Sequence, residues 1–156
     1  MWGIVVNIKY FLYLCAVKQF TMYNVQFTKG NTSMYGLGIL GDKIGSFTQR
    51  IIDAAKYLKE KKEYSLADQL FRSGTSIGAN CSEATCAVSK ADFANKLGIA
   101  LKEANETCHW IDVMFMAKLI NEPTYESFKN DAVEICKLLT TIQKNTRINM
   151  QKTTNK

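Results

Sequence analysis

The sequence of 156 residues contains one proline, Pro123, and one histidine, His109. Proline inside a helix removes a hydrogen bond and clashes with the preceding turn, so its scarcity leaves room for long helices. The single histidine excludes the di-iron site of four-helix carboxylate proteins, because that site needs two Glu-x-x-His motifs. Glu106-x-x-His109 supplies one of them. We therefore predict that the protein holds no metal.

Sequence signatures of catalysis are also missing. Gly74 and Gly78 are not followed by the Gly-Lys-Ser/Thr of a phosphate-binding loop. Cys108 and His109 are consecutive, so on a helix their side chains point about 100° apart and cannot form a catalytic pair. The chain also lacks a nucleophile elbow and a dinucleotide-binding motif. We predict that the protein is not an enzyme and uses no cofactor.

The five cysteines are an odd number and include no Cys-x-x-Cys pair. This usage argues against a disulfide framework and against a zinc site. Cys81, Cys108 and Cys136 each fall on an apolar helical stripe described below. We interpret these three as small buried hydrophobic residues in the reducing cytoplasm.

The apolar N-terminus is too short to predict a membrane span. Its uninterrupted apolar run covers residues 10–17, whereas a span needs about 20 residues. It also lacks the basic start and small-residue cleavage site of a signal peptide. Helical periodicity begins only after about residue 40, so we predict that residues 1–40 are an extension outside the fold. The true translation start could be Met1, Met22 or Met34.

The formal net charge of +6 is concentrated at the two ends of the chain. Residues 1–33 contain three lysines and no acid, and residues 144–156 contain four basic residues and no acid. The body between them has 13 basic and 14 acidic residues. Basic termini attract polyanions through counterion release, but they also serve simply to keep a protein soluble. Both interpretations remain open.

Apolar residues recur at helical spacing four times after residue 42. Helix one is expected at 42–61, helix two from an N-cap at Ser65, helix three from a Ser89–Asp92 capping box, and helix four with Pro123 in its first turn. The four stripes are Ile44, Phe47, Ile51, Ala55 and Leu58; Leu66, Leu70, Ile77, Cys81, Ala84 and Val88; Phe93, Leu97, Ala100, Ala104, Cys108, Ile111, Phe115 and Leu119; and Tyr125, Phe128, Ala132, Ile135, Leu139 and Ile142. Short connections make successive helices antiparallel, so residues 41–148 are predicted to form an all-α, antiparallel up-down four-helix bundle. A basic tail, 149–156, follows it.

The segment "RSGTSIGANCSEATCAVSKADF", residues 72–93, is predicted to run mostly along helix two. Gly74 and Gly78 share a helix face, and each costs about 1 kcal/mol relative to alanine, which is tolerable where the missing side chain lets another helix backbone approach closely. A polar row lies beside the apolar stripe: Ser73, Ser76, Asn80 and Glu83. This row either fixes the register between helices or forms a subunit contact or ligand site. Both alternatives stay open.

The stretches "LADQLFRSGTSIGANCSEA" and "SKADFANKLGIALKEANETCHWID" resemble the four-helix bundle family of bacterial 23S rRNA intervening-sequence proteins. They are more distantly similar to the accessory variability determinant protein of diversity-generating retroelements. The resemblance covers about residues 42–148. Two positions depart from the common family pattern, with Cys81 in place of isoleucine and Ala84 in place of glycine. The matching motif residues are Gln69, Leu70, Arg72, Ser76, Ile77, Asn80, Glu83, Ser89, Asp92, Phe93, Glu103, Ala104 and Glu106.

The resemblance implies a cytoplasmic protein without known catalysis that assembles as a homopentamer. Our first hypothesis is a scaffold that binds nucleic acid, RNA before DNA, through backbone phosphates. The second is a protein-interaction module that positions a partner enzyme such as a reverse transcriptase. The candidate nucleic-acid contacts are Lys56, Lys59, Lys61, Lys62, Arg72, Lys90, Lys144 and Arg147, and the candidate helix-packing or subunit contacts are Ser73, Gly74, Ser76, Gly78, Asn80 and Glu83.

Overall fold

A computed structural model describes residues 37–154, and within them it contains four helices and no strand. The helices are α1 Ile39–Glu60, α2 Tyr64–Thr85, α3 Lys90–Met116 and α4 Glu122–Thr154. Each helix packs against the next along the chain, and α4 also packs against α1. The predicted all-α four-helix bundle is confirmed. The predicted N-terminal extension lies almost entirely outside the described residues.

The connections explain where the helices begin and end. Lys62 at the end of α1 and Lys118 at the end of α3 adopt left-handed backbone angles, with φ of 66° and 57°. Each of these turns is closed by a backbone hydrogen bond of 2.9 Å, Glu63 N to Leu58 O and Leu119 N to Met114 O. This is the Schellman arrangement, which satisfies carbonyl groups at a helix C-terminus.

Of the three helix starts predicted from capping residues or proline, two are confirmed, and α1, predicted from residue 42, begins at Ile39. The Ser89 hydroxyl accepts a hydrogen bond of 3.1 Å from Asp92 N, and Pro123 lies in the first turn of α4. The predicted cap at Ser65 is wrong, because α2 already begins at Tyr64. The tight turn at the end of α1 closes at Glu63, so α2 begins at the next residue and not after Ser65. At the other end of the chain, the range predicted as a tail is helical to Thr154.

The predicted apolar stripes line one continuous core, with three exceptions. Val88 is 81% exposed because α2 ends at Thr85. Phe115 is 37% exposed and stacks on Tyr125, with ring centroids 4.5 Å apart. Leu119 lies beyond the end of α3 but still packs against the core. The buried hydrophobic residues are Leu40, Ile44, Phe47, Ile51, Ala54, Ala55, Leu58, Ala67, Leu70, Ile77, Cys81, Ala84, Ala94, Leu97, Ala100, Ala104, Ile111, Met114, Phe128, Ala132, Ile135 and Leu139.

Gly74 of α2 packs against Ile51 of α1. A Cβ atom at this position would lie 2.6 Å from Cγ2 and 2.9 Å from Cγ1 of Ile51. The missing side chain therefore makes room for the Ile51 side chain of α1. This contact agrees with the prediction that Gly74 permits close packing of another helix, and the atoms nearest to it belong to the Ile51 side chain of α1. Gly78 is buried on the same helix.

We predict that Gly74→Ala destabilises the protein by about 1–3 kcal/mol, because it overpacks a filled site. Helix propensity alone would make the same change stabilising by about 1 kcal/mol. In an Ile51→Ala background, which removes both nearest atoms, the cost of Gly74→Ala should shrink or reverse. Urea unfolding of the four proteins forms a double-mutant cycle. Equal effects in both backgrounds would show that Gly74 and Ile51 are not coupled.

Candidate functional site

The buried polar contact of the bundle joins α2 to α3. Ser73 and Thr107 are both fully buried, and their hydroxyl oxygens are 3.1 Å apart. Each hydroxyl also lies near a carbonyl oxygen of its own helix, Leu70 O at 3.4 Å and Glu103 O at 2.8 Å. Buried polar groups require such partners, so this pair specifies the register between the two helices. The sequence analysis singled out Ser73 and did not identify Thr107.

The rest of the predicted polar row has its partners within the subunit. Ser76 and Asn80 are half-buried, and Asn80 Nδ2 donates to Ser76 O over 2.9 Å. Glu83 is exposed and forms an ion pair with Lys96 of α3. Ser73 and Glu83 join α2 to α3, whereas the Asn80–Ser76 hydrogen bond lies within α2, so only Ser73 and Glu83 bear on the register between the two helices.

A second α2–α3 network lies at Arg72 on the surface. Arg72 Nη2 lies 2.7 Å from Glu106 Oε1 and 2.6 Å from Gln69 Oε1. Trp110 Nε1 donates to the same Glu106 oxygen over 3.3 Å. Arg72 was predicted to contact nucleic acid, and here its guanidinium already has two partners. One turn from Glu106, the buried Oε2 of Glu103 has no hydrogen-bond partner among the described residues.

The environment of Glu103 favours its neutral form. Burial raises the pKa of this carboxyl, the neighbouring Glu106 carboxylate raises it further, and Arg72 opposes the change. Glu106 differs from Glu103 because it accepts hydrogen bonds from Arg72 and Trp110. Two glutamates on adjacent turns of α3 therefore have different electrostatic environments.

The other predicted nucleic-acid contacts divide between opposite ends of the bundle. Four of them lie in the last turns of α1 or in its connection to α2, and the other three lie near the connection between α2 and α3. Since α2 has 22 residues and rises about 1.5 Å per residue, the two ends are about 33 Å apart. Within one subunit they cannot form a single surface. The first group is Lys56, Lys59, Lys61 and Lys62, and the second is Lys90, Lys144 and Arg147.

Cations at the α1–α2 end are partly neutralised. Lys56 lies 3.3 Å from Asp53, and Lys59 lies 3.2 Å from Asp68. The Lys61 ammonium is 5.5 Å from the centroid of the Tyr57 ring. The acids Glu60 and Glu63 belong to the same short stretch of chain. This end therefore has mixed charge.

The opposite end, which we call the basic end, comprises Lys90, Lys144, Arg147 and Lys152, against the two acids Asp42 and Asp92 in the first turns of α1 and α3. Gln143 Nε2 donates to Ala94 O over 3.0 Å, which aligns α4 with α3. Because the helices are antiparallel, Lys90 lies one turn beyond Ala94 at the level of Arg147. These four side chains are exposed and form no ion pair with any residue in 37–154. After Glu134, α4 contains no acidic residue.

The bundle and its α2–α3 motif residues agree with one protein family. The family model of the 23S rRNA-intervening sequence protein matches residues 42–141. The chain belongs to this family.

One solved structure of the intervening-sequence family's fold is especially similar. It is the crystal structure of a protein of unknown function from the S23 ribosomal protein family of Bacteroides thetaiotaomicron VPI-5482. The two sequences are 50% identical, and the match covers 68% of this chain and 99% of the other with a TM-score of 0.66. No curated protein matches the chain significantly.

In this intervening-sequence protein, the motif residue Arg72 contacts two other motif residues, Gln69 and Glu106. The sequence resemblance therefore rests partly on residues that join α2 to α3. Among residues 37–154, no helix is long and apolar enough to cross a membrane. The same range contains no group of three or more His, Cys, Asp or Glu residues that could hold a metal ion.

We predict that Glu103→Gln stabilises the protein at pH 7. Because the pKa of Glu103 is raised on folding, the folded protein binds this proton more tightly than the unfolded chain. Its contribution to stability is therefore present at low pH and is lost as pH rises from the ordinary value of 4.5 through the folded pKa. The glutamine variant should be more stable than the parent at pH 7 and should lose that advantage near pH 4.

Urea unfolding at several pH values would measure this difference. Glu106→Gln is the matched control, since it weakens the contacts to Arg72 and Trp110 and should destabilise at pH 7. A Glu103→Gln protein less stable than the parent at pH 7 would mean that the Glu103 carboxylate is well solvated or paired.

Proposed function

We propose that this protein is a non-enzymatic, homo-oligomeric RNA-binding protein of the cytoplasm, which contacts backbone phosphates through its basic end. The observation that carries the proposal is the acid-free segment of α4 after Glu134, together with Lys90 at the level of Arg147. Phosphate groups attract unpaired lysine and arginine side chains through counterion release. The name of the family, which refers to sequences that interrupt 23S rRNA, supports RNA ahead of DNA.

The length of α4 also supports this choice of end. Arg147 lies at the level of the first residue of α3, and the helix continues to Thr154. At about 1.5 Å per residue, α4 therefore projects about 10 Å past the start of α3. Lys152 lies on this projecting part and is exposed. A projecting helix with cations and no acids can approach a nucleic-acid backbone without interference from the rest of the bundle.

The exposed side chains near the basic end favour contacts to phosphates over contacts to bases. Among the described residues, the large exposed hydrophobic side chains at this end are Ile39, Val88 and Ile148, and none is aromatic. Single-stranded bases are usually bound by stacking on aromatic rings. Phosphate contacts carry no sequence information, so we expect weak sequence preference and strong salt dependence.

Oligomerisation would strengthen such binding. The family resemblance implies a pentamer, and five basic ends on one particle would raise the affinity for a polyanion through multivalency. Tyr64 and Phe71 lie seven residues apart on α2, hence on one face, and are 58% and 45% exposed. This exposed aromatic face supports self-association, because adjacent exposed apolar side chains commonly mark protein contacts.

We expect the double variant Lys144→Gln, Arg147→Gln to weaken RNA binding. Fluorescence anisotropy with a labelled RNA hairpin at several salt concentrations should show a shallower slope of log affinity against log salt. The slope should fall by about 0.7–0.9 for each phosphate that the variant no longer neutralises. The matched control, Lys61→Gln with Lys62→Gln, removes the same charge from the opposite end and should change the slope less.

Native mass spectrometry of both variants should show the parent oligomer, which separates loss of charge from loss of assembly. A larger change in the salt slope from the Lys61 and Lys62 substitutions would show that RNA binds at the other end of the bundle. No detectable binding by the parent protein at low salt would overturn the proposal. That result would favour the alternative, a protein-interaction scaffold for an enzyme such as a reverse transcriptase.

A further inference from the structure

Cys108 of α3 and Cys136 of α4 lie opposite each other on neighbouring antiparallel helices. One turn along α3, Asp112 forms an ion pair of 2.5 Å with Lys129, which precedes Cys136 by two turns on α4. Both cysteines line the same groove between the two helices, and Lys129 Nζ also lies 3.5 Å from Cys108 O. The pair is therefore brought together by the α3–α4 register, although 28 positions separate the two residues in the sequence.

The thiol pair is accessible from outside the subunit. Both cysteines are half-buried and line an open groove of about 450 Å³ between α3 and α4. Asn105, Lys137 and Thr140 are also part of its wall. The sequence analysis interpreted Cys81, Cys108 and Cys136 alike as small buried hydrophobic residues. Cys81 is fully buried as predicted, whereas Cys108 and Cys136 pack against the core but are only half-buried.

The electrostatic environment makes the two sulfurs different. The pKa of Cys108 is lowered to about 7, chiefly because its sulfur accepts a hydrogen bond from the Cys136 thiol. The Lys129 ammonium lowers it further, whereas burial and Asp112 oppose the change. The same hydrogen bond raises the pKa of Cys136. Cys108 is therefore the more easily deprotonated thiol of the pair.

The remaining described cysteines provide contrasts. Cys81 is fully buried, and burial raises its pKa to about 12. Cys86 is exposed in the connection between α2 and α3, before the first residue of α3. Thiolates, and not thiols, are the nucleophiles in cysteine chemistry. Only the α3–α4 pair combines an adjacent second thiol, a nearby cation and access from solvent among residues 37–154.

We propose that Cys108 and Cys136 form a redox-active dithiol that a hydroperoxide oxidises to a disulfide linking α3 to α4. The Cys108 thiolate attacks one peroxide oxygen and the O–O bond breaks, which leaves a sulfenic acid and a hydroxide that is protonated to water. The Cys136 sulfur then attacks the Cys108 sulfur, and the S–O bond breaks as the S–S bond forms. The leaving hydroxide takes up the Cys136 proton. In sum, two thiols and one hydrogen peroxide give one disulfide and two waters.

The disulfide would join two helices that are already neighbours, and it would close a long loop of chain through the connection at Pro123. A cross-link of this kind restricts the unfolded chain more than the folded one. We therefore expect the oxidised protein to melt at a higher temperature than the reduced protein. Reduction by a dithiol reagent should reverse the shift.

The experiment treats the reduced full-length protein with an equimolar amount of hydrogen peroxide and maps disulfides in a non-reducing digest by mass spectrometry. The parent protein and the control Cys86→Ser should both yield a peptide linking Cys108 to Cys136. Cys136→Ser should accumulate a sulfenic acid at Cys108 that dimedone traps. Cys108→Ser should give neither product.

Phenylarsine oxide, which bridges two adjacent thiols, gives a second readout that needs no oxidation. One molecule should bind each chain of the parent protein and of Cys86→Ser, and none should bind Cys108→Ser. The alkylation rate of Cys108 in the parent should reach half its maximum near pH 7. Failure of the parent protein to bind the arsenical, or peroxide oxidation that leaves both Cys108 and Cys136 reduced, would overturn the proposal. Both of these tests use the unmodified chain, so they do not depend on a variant that folds.

Discussion

Two adjacent residues, Ser73 and Gly74, place α2 between its neighbours, and the rest of the bundle depends on that placement. Gly74 leaves room for the Ile51 side chain of α1, and the buried Ser73 hydroxyl lies 3.1 Å from that of Thr107 in α3. The side chains of consecutive helix residues point about 100° apart, so Gly74 faces α1 while Ser73 faces α3. The position of α2 along its axis therefore determines both interfaces. Sliding α2 by one turn, about 5.4 Å, would separate the two hydroxyls, and in the direction that brings Leu70 to Ile51 it would also overfill this site.

The same register determines which charges meet. Along the sides of the bundle it pairs Arg72 with Glu106, Glu83 with Lys96, and Lys129 with Asp112. Exposed ion pairs of this kind contribute little stability individually, but they leave the sides of the bundle nearly neutral. Within residues 37–154, lysines without an ion pair also lie elsewhere, among them Lys102 and Lys137, but the part of α4 that continues past α3 carries cations and no acid. The charge difference between the basic end and the body therefore depends on the length of α4 as well as on the amino-acid composition.

Periodicity alone predicted the four helices and most of the core, because an apolar stripe has few alternatives to burial in a bundle. The helix ends were predicted less accurately, since α2 begins before Ser65 and ends before Val88. In both cases a connecting turn, and not the helix itself, decided the outcome. What the sequence could not predict is pairing across helices. Nothing in the sequence distinguishes Thr107 from other polar residues, because its role depends on the contact with Ser73 of α2. In the same way, the proximity of Cys108 and Cys136 depends on the register between α3 and α4.

The central claim is that the helix register gathers unpaired cations at one end of the bundle, where they bind nucleic-acid phosphates. Hydrogen exchange of the full-length protein with and without an RNA hairpin tests this most directly, because it reports every part of the backbone at once. We expect slower exchange at residues 90–94 and 143–152 when RNA is present, and no change at residues 56–62. Protection confined to residues 56–62, or spread evenly over the bundle, would contradict the account.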